Sequence, residues 1–361
     1  MMTVAAFVTA MLLAQPPSAP PSSPTAASER PTPQPPPGTP PSPPGHAAPA
    51  GAPDLAALQL QVMLDRADFS PGVIDGRMGT NTERALALYQ EHRGEAPPAE
   101  MLSLASYTIT DADLAGSFTP DIPSDLAEQA SLPALGYRSV LESLAERFHA
   151  TPELLHALNP GATFSAGETI HVPNVEPFAP PAETLHVDMR GEIIDPAAEP
   201  PTGTSGRLAA RPDGAEDTHP IMSRPDVVVT VSQSASRLLV TDGAGRLVFS
   251  APVTTGSEHD PLPIGQWTVT GLQLNPAFHY NPALFWDAKP ADAKARIAPG
   301  PNNPVGVAWI DLDKEHYGLH GTPEPAAIGR AQSHGCVRLT NWDAAKLAAL
   351  VKPGTKVHFV K

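Results

Sequence analysis

The sequence predicts a multidomain protein. It reads as a small α-helical module, a second small module of two helices and a strand, and a mostly β C-terminal domain, a sandwich or open barrel with one late helix. Three observations carry that expectation. The 361 residues leave room for two or three domains at about 150 residues each. The 46 prolines, well above the usual ~5%, gather in stretches too poor in apolar residues to bury a core. The apolar pattern switches from a helical period to short β runs after Pro225.

Charge follows the same division. The net charge is −15, from 23 Lys and Arg against 38 Asp and Glu. Residues 1–224 hold 11 basic and 27 acidic side chains, residues 225–361 hold 12 and 11, and every lysine lies at or after Lys289. The asymmetry points to separate modules, and the acidic balance argues against nucleic acid as a partner. A single cysteine, Cys336, excludes an intrachain disulfide scaffold.

The elements follow in order. Val4 to Ala14 is an apolar run of 11 residues, short of the ~20 needed to span a bilayer. It reads as the core of a signal peptide over residues 1–14, which predicts export without a stable membrane anchor. Residues 15–53, rich in Pro, Ala and Ser, read as a semi-extended spacer. In the first module, residues 54–105, Leu55, Leu58, Gln59, Val62 and Met63 share one helix face. Turns at Pro71-Gly72 and Asp75-Gly76 follow, and Thr80 with Glu83 has the pattern of a capping box opening a second helix. In the second module, residues 135–174, Leu141, Leu144, Ala145 and Phe148 line a helical face. Thr151 caps the next helix with Pro152 at its first position, Asn159-Pro160-Gly161 stops it, and Thr169 to Val172 reads as a strand. Residues 175–224 read as a second linker.

From 225 to 361 the β runs are Val227–Val231, Arg237–Thr241, Arg246–Ser250, Trp267–Thr270, Val305–Ile310 and Lys356–Val360, with a turn at Asp242-Gly243-Ala244-Gly245. One helix runs from a Thr340 cap to about Val351, ended by Pro353-Gly354.

The chemistry-bearing residues cluster in His320-Gly321-Thr322 and in Ser333-His334-Gly335-Cys336-Val337-Arg338-Leu339. A thiolate is a strong nucleophile, and a neighbouring imidazole can take its proton at neutral pH. Gly335 frees the backbone to turn N–H groups toward a developing oxyanion. Arg338 adds a fixed positive charge that lowers the thiol pKa or holds a substrate carboxylate. Together these make a Cys/His constellation for acyl transfer. Two plainer readings stand beside it: an inert buried cysteine, and a zinc site from His316, His320 and His334 that lacks any HExxH helix or paired thiolate spacing. His259, His279 and His358 read as surface or core residues.

Three stretches resemble known families. Leu58-Gln59, Ile74-Asp75-Gly76, Gly79, Thr82, Ala85 and Tyr89-Gln90 resemble the peptidoglycan-binding domain 1 family over about 40 residues. LESLAERFHATPELLHALNP with AGETIHVP is similar to a LysM domain, a βααβ unit that binds N-acetylglucosamine-containing glycans. The usual first strand of that unit is poorly matched around Gly136 to Val140. HGT and SHGCVRL resemble the signature of the L,D-transpeptidase (YkuD-like) family. Gly256-Ser257, Pro261 to Gly265, Asn275-Pro276, Tyr280-Asn281-Pro282 and Pro299 to Gly306 extend that resemblance across residues 225–361.

The third resemblance implies residue roles. Cys336 matches the nucleophile and His320 the general acid/base; His334 and Gly335 match the oxyanion region. Ser333, Thr322 and Arg338 match positions that face substrate, and no metal or cofactor is implied. The group that orients His320 is not visible, though a backbone carbonyl near Gly321 is one candidate. The implied reaction is acyl transfer on peptidoglycan stem peptides, giving 3→3 cross-links and making the thiol sensitive to carbapenems. Water as acceptor, transfer to a protein amine, and a non-catalytic wall-binding protein are the alternatives. Stem peptides and glycan strands are then the partners of a monomer in the cell envelope, with the periplasm as its expected compartment.

Overall fold

A computed structural model describes residues 52–94, 102–189, 193–194, 224–257, 259–285, 288, 293–331 and 335–361. The expected signal segment, nearly all of the Pro-rich spacer, and both Ser333 and His334 lie outside the described residues.

Helix α1 (Leu55–Arg66) starts where the Asp54 carboxylate accepts the Ala56 N–H at 2.8 Å, satisfying an otherwise orphaned donor. Helix α2 (Thr80–Arg93) differs from expectation at its start. Gly79 holds the cap position and Thr80 is already helical, so the capping box with Glu83 does not form. Strand β1 (Leu104–Thr108) follows, then the short helices α3 (Asp111–Leu114) and α4 (Leu126–Gln129), then α5 (Val140–Arg147) and α6 (Pro152–Leu158), and then strand β2 (Thr169–Pro173). β1 and β2 pair antiparallel, Leu104 opposite Pro173 through Thr108 opposite Thr169. The strand that pairs with β2 thus lies at Leu104–Thr108, some thirty residues before Gly136, and α3 and α4 as well as α5 and α6 lie between the two strands. Thr151 caps α6 as its sequence implies, its hydroxyl accepting the Leu154 N–H at 3.1 Å.

Inside the segment expected as linker, β3 (Leu185–Val187) and β4 (Ile193–Ile194) form a short antiparallel pair. The C-terminal domain then supplies β5 (Val227–Ser232), β6 (Arg237–Asp242), β7 (Leu247–Pro252), β8 (Gly265–Leu274), β9 (Phe278–Tyr280), β10 (Ala295–Ile297), β11 (Ala308–Leu312), β12 (Gly318–His320) and β13 (Val337–Arg338). Helix α7 (Asn341–Leu350) and strand β14 (Lys356–Val360) close the chain. Among the described residues the main sheet runs β13-β12-β11-β8-β14-β5-β6-β7. β8 is ten residues long: its first half pairs with β14 and its second half with β11 and β3, so the sheet curls around it as a half-barrel. The domain is mostly β, as expected. Val227, Val229 and Val231 alternate inward from β5 and meet Ala344, Leu347 and Ala348 of α7 in one core. Burying Leu347 alone is worth roughly 1.5–3 kcal/mol.

The charge asymmetry points to separate modules, yet residues 51–361 form one compact unit. The two small modules cannot each bury a core, so they share one: Leu58, Val62 and Ile74 pack with Leu144, Phe148, Leu155 and Ile170. Both modules also meet the β domain. The Ser70 N–H donates to Ser250 O at 2.8 Å and the Ser250 N–H to Asp68 O at 2.9 Å. Buried Arg237 donates from Nη2 to Ser70 O and to Ser250 Oγ, both at 2.9 Å. The ring of His149 stacks on Trp342 of α7 with centroids 4.9 Å apart.

Candidate active site

β12 and β13 pair in parallel, with Leu319 opposite Val337 and His320 opposite Arg338. Leu319 and Val337 enter the core. Side chains alternate along a strand, so His320, Arg338 and Cys336 share the opposite face. The two halves of the sequence motif, sixteen residues apart, are thereby brought onto adjacent strands.

His320 is buried, and its Nδ1 lies 2.7 Å from Gly321 O. With a carbonyl as partner, Nδ1 carries the proton and donates it, leaving the Nε2 lone pair free. Burial first, and the Arg338 guanidinium second, push the imidazole down to about 3, so it is neutral at physiological pH. Burial pushes the Cys336 thiol up, against the opposing pull of the Gly318 backbone and of Arg338. Its Sγ is 3.7 Å from His316 O. The resting pair is therefore thiol and imidazole rather than thiolate and imidazolium, and deprotonation belongs to the moment of attack.

Gly335 has φ +107, and a Cβ there would lie 2.9 Å from the Tyr317 hydroxyl. Only glycine fits that left-handed turn against the ring. Arg338 is half-buried, and its Nε has no hydrogen-bond partner among the described residues. Thr322 is buried; its N–H donates to Asn341 Oδ1 at 3.1 Å, and its hydroxyl accepts the Glu324 N–H at 3.2 Å. Its hydroxyl thus shapes the turn that follows His320.

Several residues at the site carry no sequence motif. Across β12, β11, β8 and β3 one register row holds His320, Trp309, Gln273 and His186. The Trp309 ring stacks on His320 with centroids 5.2 Å apart and planes 20° apart. The Trp309 indole N–H donates to Asp311, whose other oxygen accepts from Gln273 Nε2 at 3.2 Å. Burial raises the Asp311 carboxyl above the usual range. Period-2 alternation puts Trp309 and Asp311 on one face, but only the register of β11 against β12 puts that face under His320.

Residues 226–359 match the family model of the YkuD L,D-transpeptidase catalytic domain. This stretch is similar to the YkuD-type L,D-transpeptidase domain. Two relatives bear the name "Putative L,D-transpeptidase YkuD". The one from Bacillus licheniformis is 27% identical over 220 residues, covering 60% of this chain and 91% of its own. The one from Bacillus subtilis is 51% identical over 57 residues, covering 16% and 35%. Among solved structures, L,D-transpeptidase 3 from Mycobacterium tuberculosis aligns with TM-score 0.32 and 19% identity over 38% of this chain and 62% of that one. An L,D-transpeptidase from Mycobacterium smegmatis aligns with TM-score 0.31, covering 38% and 59%. The chain thus spans about three fifths of those two structures. The YkuD domain occupies β5 through β14, and the helical modules and β3 lie outside the matched residues.

Proposed function

We propose that the protein is a peptidoglycan L,D-transpeptidase that forms 3→3 cross-links through a thioester on Cys336. The observation that supports this most directly is the buried, neutral His320, fixed through Nδ1 by Gly321 O on the strand beside Cys336.

In this reading the Cys336 Sγ–H gives its proton to His320 Nε2 as sulfur attacks the carbonyl carbon of the L-centre at stem position three. The backbone N–H groups at Gly335 and Cys336 receive the oxyanion, with His334 supporting that region. The tetrahedral intermediate collapses, the C–N bond to D-alanine breaks, and His320 returns the proton to the leaving amine. The side-chain amine of a second stem, with its proton taken by Nε2, then attacks the thioester. Sulfur leaves and is reprotonated by His320. Arg338, on the strand face shared with Cys336 and His320, holds the donor carboxylate. Ser333 and Thr322 border the donor. The LysM-like and peptidoglycan-binding-like modules place the domain on glycan strands after export to the cell envelope, the periplasm in a diderm organism.

Intact-mass analysis with a carbapenem tests the nucleophile. One adduct is expected on the wild type and none on Cys336→Ala; an adduct retained by the variant would sink the assignment. Tetrapeptide donors then report the acceptor: dimers mean transfer, and tripeptides alone mean hydrolysis.

A further inference from the structure

Buried acids are costly to keep, and one sits where the helical modules meet the YkuD domain. Glu146, on α5, is 8% exposed. The Asn341 amide donates from Nδ2 to Glu146 Oε1 at 2.9 Å and to Pro301 O at 3.0 Å. Its Oδ1 accepts the Val307 N–H at 3.2 Å and the Thr322 N–H at 3.1 Å. That oxygen packs directly against two glycines. A Cβ on Gly306 would lie 2.0 Å from it, and one on Gly321 would lie 2.2 Å away. Gly321 in turn supplies the carbonyl that accepts the His320 Nδ1–H at 2.7 Å. From Glu146 to the imidazole the path is Asn341, the Gly321–Thr322 turn and His320, each step a hydrogen bond or a close contact.

We propose that Glu146 is a positioning residue for His320, acting across the module boundary through Asn341 and the Gly321–Thr322 turn. The proposal deepens the reading above, since it rests on His320 being the acid/base of that reaction. A leucine of similar volume would fill the same space without desolvating an acid. What the carboxyl group supplies and a leucine does not is an acceptor for the second Asn341 N–H, together with a hydrogen bond to the Tyr137 hydroxyl. Losing the acceptor leaves a buried amide N–H unsatisfied. The amide then turns to recover a partner, and its Oδ1 leaves the turn that aims His320. The charged groups around Glu146 are Glu142 and Arg147 on its own helix; Tyr137 precedes that helix. The helical modules are thereby part of the catalytic apparatus.

Cys336 is the only cysteine in the chain, so the pH profile of iodoacetamide alkylation reads the thiol of the intact protein without any substrate. Glu146→Leu is expected to slow alkylation at neutral pH by about tenfold to a hundredfold and to move the profile to higher pH. Glu146→Gln, which keeps an acceptor for Asn341, is expected to restore the wild-type profile. A merely structural role predicts a lower melting temperature for Glu146→Leu with an unchanged profile, and that result overturns the proposal. Should Glu146→Leu not fold, Glu146→Asp decides in the same way, because it keeps the acid but withdraws it by one methylene. Absence of turnover on stem peptides in the wild type, with the alkylation response intact, would refute the transpeptidase reading and leave the positioning role standing.

Discussion

At the scale of single residues, Arg338 acts on both halves of the reacting pair. Its charge lowers the His320 imidazole and also lowers the Cys336 thiol, although burial dominates each shift. The first effect keeps Nε2 unprotonated and able to accept. The second eases loss of the thiol proton at the moment it is needed. Arg338→Met should therefore raise both groups. The alkylation profile of Cys336 should move up by about one pH unit, a tenfold loss of rate at neutral pH. An unchanged profile would mean that solvent screens the guanidinium from the thiol. An imidazole held at about 3 stays neutral through the whole range in which the thiol is reactive.

At the scale of elements, helix α7 shows what was legible in the sequence and what was not. Its Thr340 cap, its length and its end near Val351 all follow from local chemistry, and the hydroxyl accepts the Asp343 N–H at 3.2 Å as a cap should. Thr340→Ala should cost about 1 kcal/mol, read as a lower urea midpoint with unchanged slope. An unchanged midpoint would show that the cap is replaced by another acceptor or by water. Strands β5, β6, β7, β8, β11 and β14 were legible for a similar reason, since each carries enough alternating apolar residues to declare its period. β12 and β13 were not. They are three and two residues long, and only their parallel pairing with each other, and the antiparallel pairing of β12 with β11, makes them strands. Cys336 and His320 were found by their motif, whereas Trp309, Asp311, Asn341 and Glu146 reach the site through tertiary contacts that no local pattern encodes. β3 was missed because three residues inside a Pro-rich stretch carry too little period to separate a strand from a linker. The capping box at Thr80 failed for the opposite reason: the pattern was present, but the helix begins one residue earlier than the pattern requires, at Thr80 itself.

At the scale of the molecule, the surface between the helical modules and the YkuD domain is loaded with protons. Glu146 is pushed up to about 8, chiefly by burial and further by Glu142. Asp343 is pushed up to about 6 by burial and by Asp65, while its Oδ2 accepts the Ser70 hydroxyl at 2.9 Å and His149 stands beside Asp65. Each group sits higher folded than its ordinary values of 4.5 and 3.8. The folded chain therefore binds more protons than the unfolded one between about pH 4 and 8, and stability falls as pH rises through that window. The stabilisation is complete below the ordinary values and is lost as pH passes 6 for Asp343 and 8 for Glu146. His320 opposes this trend, because its depressed imidazole makes the fold lose stability as pH drops below 6.5. Only a comparison with a non-titrating variant separates the two. Thermal melts of the full chain from pH 5 to 9 should show Glu146→Gln close to wild type at pH 5 and progressively more stable than wild type toward pH 9. Asp343→Asn should diverge earlier, near pH 5 to 6. Parallel melting curves for wild type and Glu146→Gln at every pH would mean that Glu146 is ionised in the folded protein, and that the seam between module and domain is solvated rather than sealed.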